Sequence, residues 1–433
     1  MIKWRISFQR LILLFLIFFS ILPNAGIAFK TFGFTWTGYR LCIPLCLIVG
    51  LFATTNICID YRHPISKWVC FMLIWSIYGL VLLFIGKYSD LHRGFVEWLS
   101  IFNGFIVVYL LNLLLRESGN RDFAIKVIYI MLNFLIVVGL VEIFTGLHLP
   151  TSGFCDKTSD FSRATNKHQA TGFMYNMNDF SACITCLATV LLDDRLGKKR
   201  LLSLVAVILI NQINDATTCT LAIVFFVFYY FLMLYEDSNN RVKQLKKITF
   251  WVLCVGALLI LFCIGDELAK RNDFIGALVK QIVNANNSSG SLFHRIQIYK
   301  DGISAWLSCG IFGMGPAGFS VYFLKHPSVS GLINPHSLFL EILTQYGIVI
   351  FVWFCGLLLW TFHIAKTQYG RSIDSQKRMR LMVIAFTIVY SITSFASSSF
   401  IGYSYQWLLI AVMCSYLNEN TSKLLYVLQG TKS

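Results

Sequence analysis

WVCFMLIWSIYGLVLLFIG, Trp68 to Gly86, carries no charged residue from end to end, and a helix of that length crosses the roughly 30 Å of hydrocarbon in a bilayer. Outward from it, further apolar runs with few or no charges lie at 11–29, 41–59, 95–115, 127–146, 177–192, 201–213, 216–235, 248–265, 338–362, 381–400 and 404–417. Together they predict an all-α polytopic membrane protein with about twelve transmembrane helices in one membrane domain spanning 1–433. The seventh and eighth runs are separated only by the polar hairpin NQINDATTCT, Asn211 to Thr220, and the parity of the topology turns on that split. The first run follows Lys3, Arg5 and Arg10 as in a signal peptide, but it continues to Phe29 and reads as an uncleaved first helix.

Composition agrees. Of 433 residues, 57% are hydrophobic and only 13% charged, about half the charge of a soluble domain, which excludes an ordinary soluble enzyme. The net charge of +15 could suggest nucleic acid, yet topology accounts for it. With the N-terminus inside, roughly two thirds of the 36 Lys and Arg fall in cytoplasmic segments, as the positive-inside rule requires. Both termini are then cytoplasmic, and the outer segments are nearly neutral in sum. One large loop, 266–335, between the ninth and tenth helices, falls outside, and so does a smaller one, 147–176. Most of the 13 Cys lie in apolar runs and read as small hydrophobes. Cys155 and Cys309 fall in outer loops, where a bridge is open to them if the compartment is oxidising.

The acids Glu97, Glu142, Asp179, Asp215 and Glu341 all sit within about a turn of the outer ends of their spans, none at mid-depth. Two readings are open: binding or chemistry at the outer surface, or side chains that merely reach for water.

The large loop ends in three segments with chemical content. SLFHRIQIYKDGISAWLS, Ser291 to Ser308, reads as an amphipathic helix lying on the outer leaflet. Its apolar face is Leu292, Ile296, Tyr299, Ile303, Trp306 and Leu307, bordered by Arg295 and Lys300. Each cation is either a phosphate ligand or a snorkelling side chain. CGIFGMGPAGF follows, with Gly310, Gly313, Gly315 and Gly318; no strand flanks it, so it is no dinucleotide fingerprint. It is either a turn whose N–H groups approach an anion or a plain loop. In NPHSLFLEILTQYGIVIFV, Asn334 as N-cap and Pro335 at the first turn predict a helix to about Phe362, with its first two turns protruding. His336 then sits on a helix N-terminus, which disfavours imidazolium; it is a general base for a hydroxyl or a structural histidine.

HRIQIYKDGISAW, IFGMGPAGF and NPHSLFLEILTQYGIVIF, in that order before a membrane helix, resemble the signature region of the O-antigen ligase/polymerase family of polytopic glycosyltransferases. The look is nearest to Gram-positive members that make teichuronic acid or capsular polymer. TGFMYNMNDFSA, Thr171 to Ala182, is a weaker likeness, with Met177 where the family often has Pro between two Asn. Thr217, Thr218, Cys219 and Thr220 stand where members commonly carry a Ser-Arg pair, so a second cation must come from Arg163, Lys167 or Lys300.

The resemblance implies metal-independent transfer of glycan repeat units from an undecaprenyl-pyrophosphate donor to a sugar hydroxyl, on the outer face of the bacterial cytoplasmic membrane. Arg295 and His336 would be catalytic. Lys300, Gly315, Gly318, Asn176, Asn178, Arg163 and Glu341 would bind substrate. No cofactor, metal or nucleotide is implied; the partners are the lipid-linked glycan and the bilayer, with a flippase and a chain-length regulator, and no nucleic acid. Polymerase is the preferred reading. A ligase would share the chemistry with another acceptor, and a flippase would predict internal repeats and mid-depth polar residues, which the sequence lacks.

Overall fold

The computed structural model describes residues 7–24, 28–31, 34–53, 63–156, 167–236, 291–329, 331–370, 372, 374–396 and 399–417. Helices dominate. α1 (Phe8–Ile21), α2 (Gly38–Ala53), α3 (Pro64–Ile85), α4 (Leu91–Leu114), α5 (Ser118–Thr145) and α6 (Met177–Leu187) come first, the last running on into a 3₁₀ turn, Ala188–Leu192. α7 (Arg200–Ile213), α8 (Thr217–Glu236), α9 (Ser291–Cys309), α10 (Gly318–Lys325), α11 (Leu338–Tyr369), α12 (Asp374–Thr393) and α13 (Tyr405–Ser415) complete the order. α3, α4, α5 and α11 are long and apolar enough, by length and composition, to cross a membrane. Each apolar run of the sequence overlaps one of these helices except 248–265, which lies outside the described residues, as do 25–27, 54–59, 266–290 of the large loop and Arg163.

α13 is buried along its whole length, so the most central helix is apolar all round rather than striped. Around it the fully buried Trp68, Trp75 and Trp407 pack with Phe71, Tyr346 and Phe354; the rings of Trp75 and Trp407 meet edge to face at 5.7 Å. Gly104 on α4 makes room, since a Cβ there would lie 2.6 Å from the Trp407 ring. Outward-facing Phe84, Ile85 and Phe144 are exposed, as a lipid-facing surface requires.

Three local expectations change. The first helix stops at Ile21, because Pro23 disfavours helical backbone at Leu22. The apolar tail of that run instead enters a β-hairpin, β1 (Ala28–Thr31) and β2 (Phe34–Thr37), paired antiparallel with Phe29 opposite Trp36. α11 begins at Leu338, not at Pro335. Its N-cap is Ser337, extended at φ −164°, whose hydroxyl accepts from Leu340 N at 3.5 Å. α11 also continues to Tyr369 and breaks once, at Gly347 (φ 77°, ψ 178°); the stretch beyond, 348–369, covers roughly 33 Å, one bilayer core.

The third concerns α9, which is amphipathic but doubly so. Ile298, Gly302 and Ala305 are its inward stripe, packed with Met314, Phe319, Phe323 and Leu340 in a small core of their own. Ile296, Ile303 and Leu307, from the face read as apolar, point outward. Cys155 and Cys309 are both free.

Candidate functional site

Four of the five acids, all near helix ends, hold loops together. Glu142 on α5 accepts from the backbone N–H groups of Thr171 and Gly172, each at 2.7 Å, and of Leu149 at 3.4 Å. Glu97 accepts from Tyr346 Oη at 2.5 Å and Ala317 N at 3.1 Å. Asp179 accepts from Tyr403 Oη. Glu341, expected at the substrate, accepts from Ser399 Oγ at 2.5 Å, Phe400 N at 2.9 Å and Ile401 N at 3.3 Å, so both its oxygens serve the 399–401 loop. A carboxylate has two oxygens and only acceptor sites, so it can satisfy several N–H and O–H donors at once, and buried loops need that.

Asp215 differs. It lies in the hairpin between α7 and α8, at φ 54°, and among the described residues no hydrogen bond to its carboxylate is found. Burial pushes that carboxyl above the ordinary aspartate range. Its own backbone is pinned, Asp215 N donating to Gln212 O at 3.1 Å and Thr217 N to Asp215 O at 3.0 Å. Next to it, Asn214 donates to Ala170 O at 2.8 Å and Ser181 Oγ at 3.1 Å and accepts from Ala170 N at 2.7 Å. One amide thus ties the hairpin to the start of α6.

These ties shape a polar cavity of about 240 Å³. Gln169, Met177 and Asn178 form one wall, Asn214 to Thr218 a second, and Arg295 with Ala396 a third. Met177 and Asn178 open α6, and Thr217 and Thr218 open α8. Two helix N-termini therefore border the same space, each a partial positive charge. Arg295 enters from α9. Its guanidinium donates to Phe395 O, and to Ala396 O at 3.4 Å, which spends two of the five donors an arginine carries.

His336 stands beside this arrangement and is not among the residues lining the cavity. It precedes the cap of α11 in left-handed backbone, φ 50°, uncommon for a residue with a Cβ. Tyr299, one turn after Arg295, donates to His336 O at 3.1 Å, and Leu338 N donates to Ser394 O at 3.0 Å. Burial, and then the charge of Arg295, lower the imidazole from its ordinary value to about 4. The ring is neutral at pH 7.

The remaining sequence candidates divide. Asn178 lines the cavity; Asn176 caps α6, accepting from Asp179 N at 2.9 Å. Lys300 is exposed and does not line it. The glycine turn docks on α11: Met314 N and Gly315 N donate to Thr344 O and Gln345 O at 2.9 and 3.0 Å, and Gly318 N donates to Gly315 O at 2.9 Å. Those N–H groups are spent within the fold. No second cation lines the cavity among the described residues; the first residues of α6 and α8 do. Sequence reasoning missed Gln169 and Asn214, although polar residues crowded between two apolar helices, Asn211 to Asp215, were the available signal.

Apolar helices around a polar cavity built from loop ends define a multi-pass membrane protein with a site suited to an anionic group. Residues 201–355, which hold the hairpin, Arg295 and His336, match the family model described as O-Antigen ligase. The chain is also 20% identical over 422 residues to "Teichuronic acid biosynthesis protein TuaE" of Bacillus subtilis (strain 168), covering 92% of this chain and 82% of that one. The two likenesses support an O-antigen ligase/polymerase-type family, and with it a membrane enzyme of polysaccharide biosynthesis.

Proposed function

We propose that this protein transfers glycan repeat units from an undecaprenyl-pyrophosphate donor to a sugar hydroxyl on the outer face of the cytoplasmic membrane, polymerising a cell-surface polysaccharide. The observation that carries the reading is one cavity that gathers Arg295 and the N-termini of α6 and α8. All three favour the diphosphate, and favour it more as its bond to the sugar breaks and charge grows on its oxygen. The acceptor oxygen forms the new glycosidic bond, and its proton passes to neutral His336. In this reading the chain crosses the membrane twelve times as one domain, with both termini cytoplasmic and 266–335 and 147–176 outside. A flippase supplies the donor and a chain-length regulator acts beside it.

The relative's teichuronic acid, a polymer, favours polymerase; the family's description as a ligase favours the second reading, the same transfer to a different acceptor. Deleting the protein separates them: accumulation of single lipid-linked repeats is expected, and long lipid-linked chains would mean ligase. Accumulation of neither removes both.

The histidine fixes a pH profile. A base works only deprotonated, and His336 loses that form as pH falls through about 4. The acid limb of kcat/KM, which reports the free enzyme, is therefore expected near pH 4 and not near the 6.5 of an ordinary histidine. His336→Ala should slow turnover by about 100-fold or more and erase the limb. A limb at pH 6.5, unchanged by the substitution, would assign the base elsewhere.

A further inference from the structure

Arg295 and Asp215 line one cavity with opposite charges, yet no ion pair joins them among the described residues. A flexible pair would close on itself. The backbone of Asp215 is held by two hydrogen bonds and by Asn214 alongside, and the guanidinium of Arg295 is held by the carbonyls of residues 395 and 396. Two separated, opposite charges on one cavity suit a ligand with two chemically distinct ends.

One end must be an anion, for Arg295 and the two helix N-termini. The other cannot be, because an ionised carboxylate only accepts hydrogen bonds and repels phosphate oxygens. The volume, about 240 Å³, lies below the range of roughly 300–1,000 Å³ usual for whole small-molecule sites. It has room for a sugar ring with its phosphate, not for a repeat unit. The geometry points to Asp215 as a specificity residue that accepts hydrogen bonds from the hydroxyls of the sugar attached to the diphosphate. The cavity thus reads a sugar 1-diphosphate as a unit, its phosphates toward Arg295 and its sugar hydroxyls toward Asp215. This rests on the donor-site reading above.

Two probes of the full chain in lipid nanodiscs test it: the lipid-linked repeat accumulated by a strain lacking the protein, and inorganic pyrophosphate. For Asp215→Ala the expected changes have opposite signs. The lipid-linked repeat should bind about 10- to 100-fold more weakly, the loss of hydrogen bonds to a charged group. Pyrophosphate should bind a few-fold more tightly, since a like charge has gone. Asp215→Asn, whose amide oxygen still accepts, should recover part of the affinity for the lipid-linked repeat. If both probes weaken together the residue only supports the hairpin, and if both tighten it reads no hydroxyl; either result overturns the inference and leaves the donor site standing. If Arg295→Ala leaves both probes unchanged, the donor-site reading itself fails.

Discussion

Replacing Arg295 with alanine should lower glycan transfer by about 100- to 1,000-fold in protein that still folds, the usual cost of removing one preorganised donor from developing charge. Activity should not vanish, because the N-termini of α6 and α8 remain in the cavity and keep part of the anion's stabilisation. Lysine should restore little. Arg295 already spends donors on Phe395 O and Ala396 O, and a planar fork can hold those carbonyls and still face a ligand, whereas an ammonium is a single compact charge that cannot do both. The two carbonyls left behind cost about 1 kcal/mol each, so a modest drop in melting temperature should accompany the alanine variant without explaining its rate. Turnover of lipid-linked repeats in proteoliposomes, measured beside a melting curve, decides. A rate within about threefold of wild type in folded protein would take Arg295 out of the chemistry.

What could be read from sequence follows from how far apart the cooperating residues lie. α3, α4 and α5 were plain in it because crossing a bilayer needs one uninterrupted apolar run, a purely local property. The hairpin at 28–37 was hidden for the same reason: its first strand continues the apolar run of α1, and only the short stretch Pro23 to Gly26 marks the break. The true cap of α11 was masked by a better-looking Asn334 and Pro335, while Ser337 wins through the left-handed turn at His336, which no composition announces. The acids were located correctly along the chain, but their partners are Tyr346, Tyr403 and the backbone of distant loops, so periodicity could not separate clamps from ligands. The cavity draws on residues 169–178, 214–218, 295 and 396. Arg295 and Asn178 were reachable through motif resemblance; Asn214 acts only through contacts 33 to 44 residues away in sequence, which spacing does not encode.

Gly347→Ala and Gly313→Ala should be the most destabilising single substitutions at this end of the helix bundle, and their effect should reach the site without touching it. At Gly347 the backbone of α11 takes φ 77°, ψ 178°, a region essentially confined to glycine. A Cβ there would lie 2.4 Å from Ile311 O; at Gly313 one would lie 2.5 Å from Gln345 O. Both clashes are with backbone, which cannot step aside as a side chain would. The two chains lie this close because three N–H groups cross between them, Met314 to Thr344 O, Gly315 to Gln345 O and Ile348 to Ile311 O. Tyr78 Oη adds a bond to Phe312 O at 2.6 Å, and Glu97 bridges Tyr346 and Ala317. Forcing them apart forfeits several of these bonds together, a loss of about 3–5 kcal/mol. The helix α9 ends at Cys309, directly before this turn, so Arg295 is aimed by a helix whose far end is held at this junction. Gly310→Ala is the internal control: it is also left-handed, φ 101°, but nothing lies within 4 Å of its Cβ, so it should lose only about 1–2 kcal/mol of backbone strain. Combining the substitutions at 313 and 347 should cost less than their sum, because both break one contact. Melting curves of the four variants in one detergent give the comparison. If Gly347→Ala melts with Gly310→Ala, the glycines serve only their own backbone angles and the turn does not hold α9 in place.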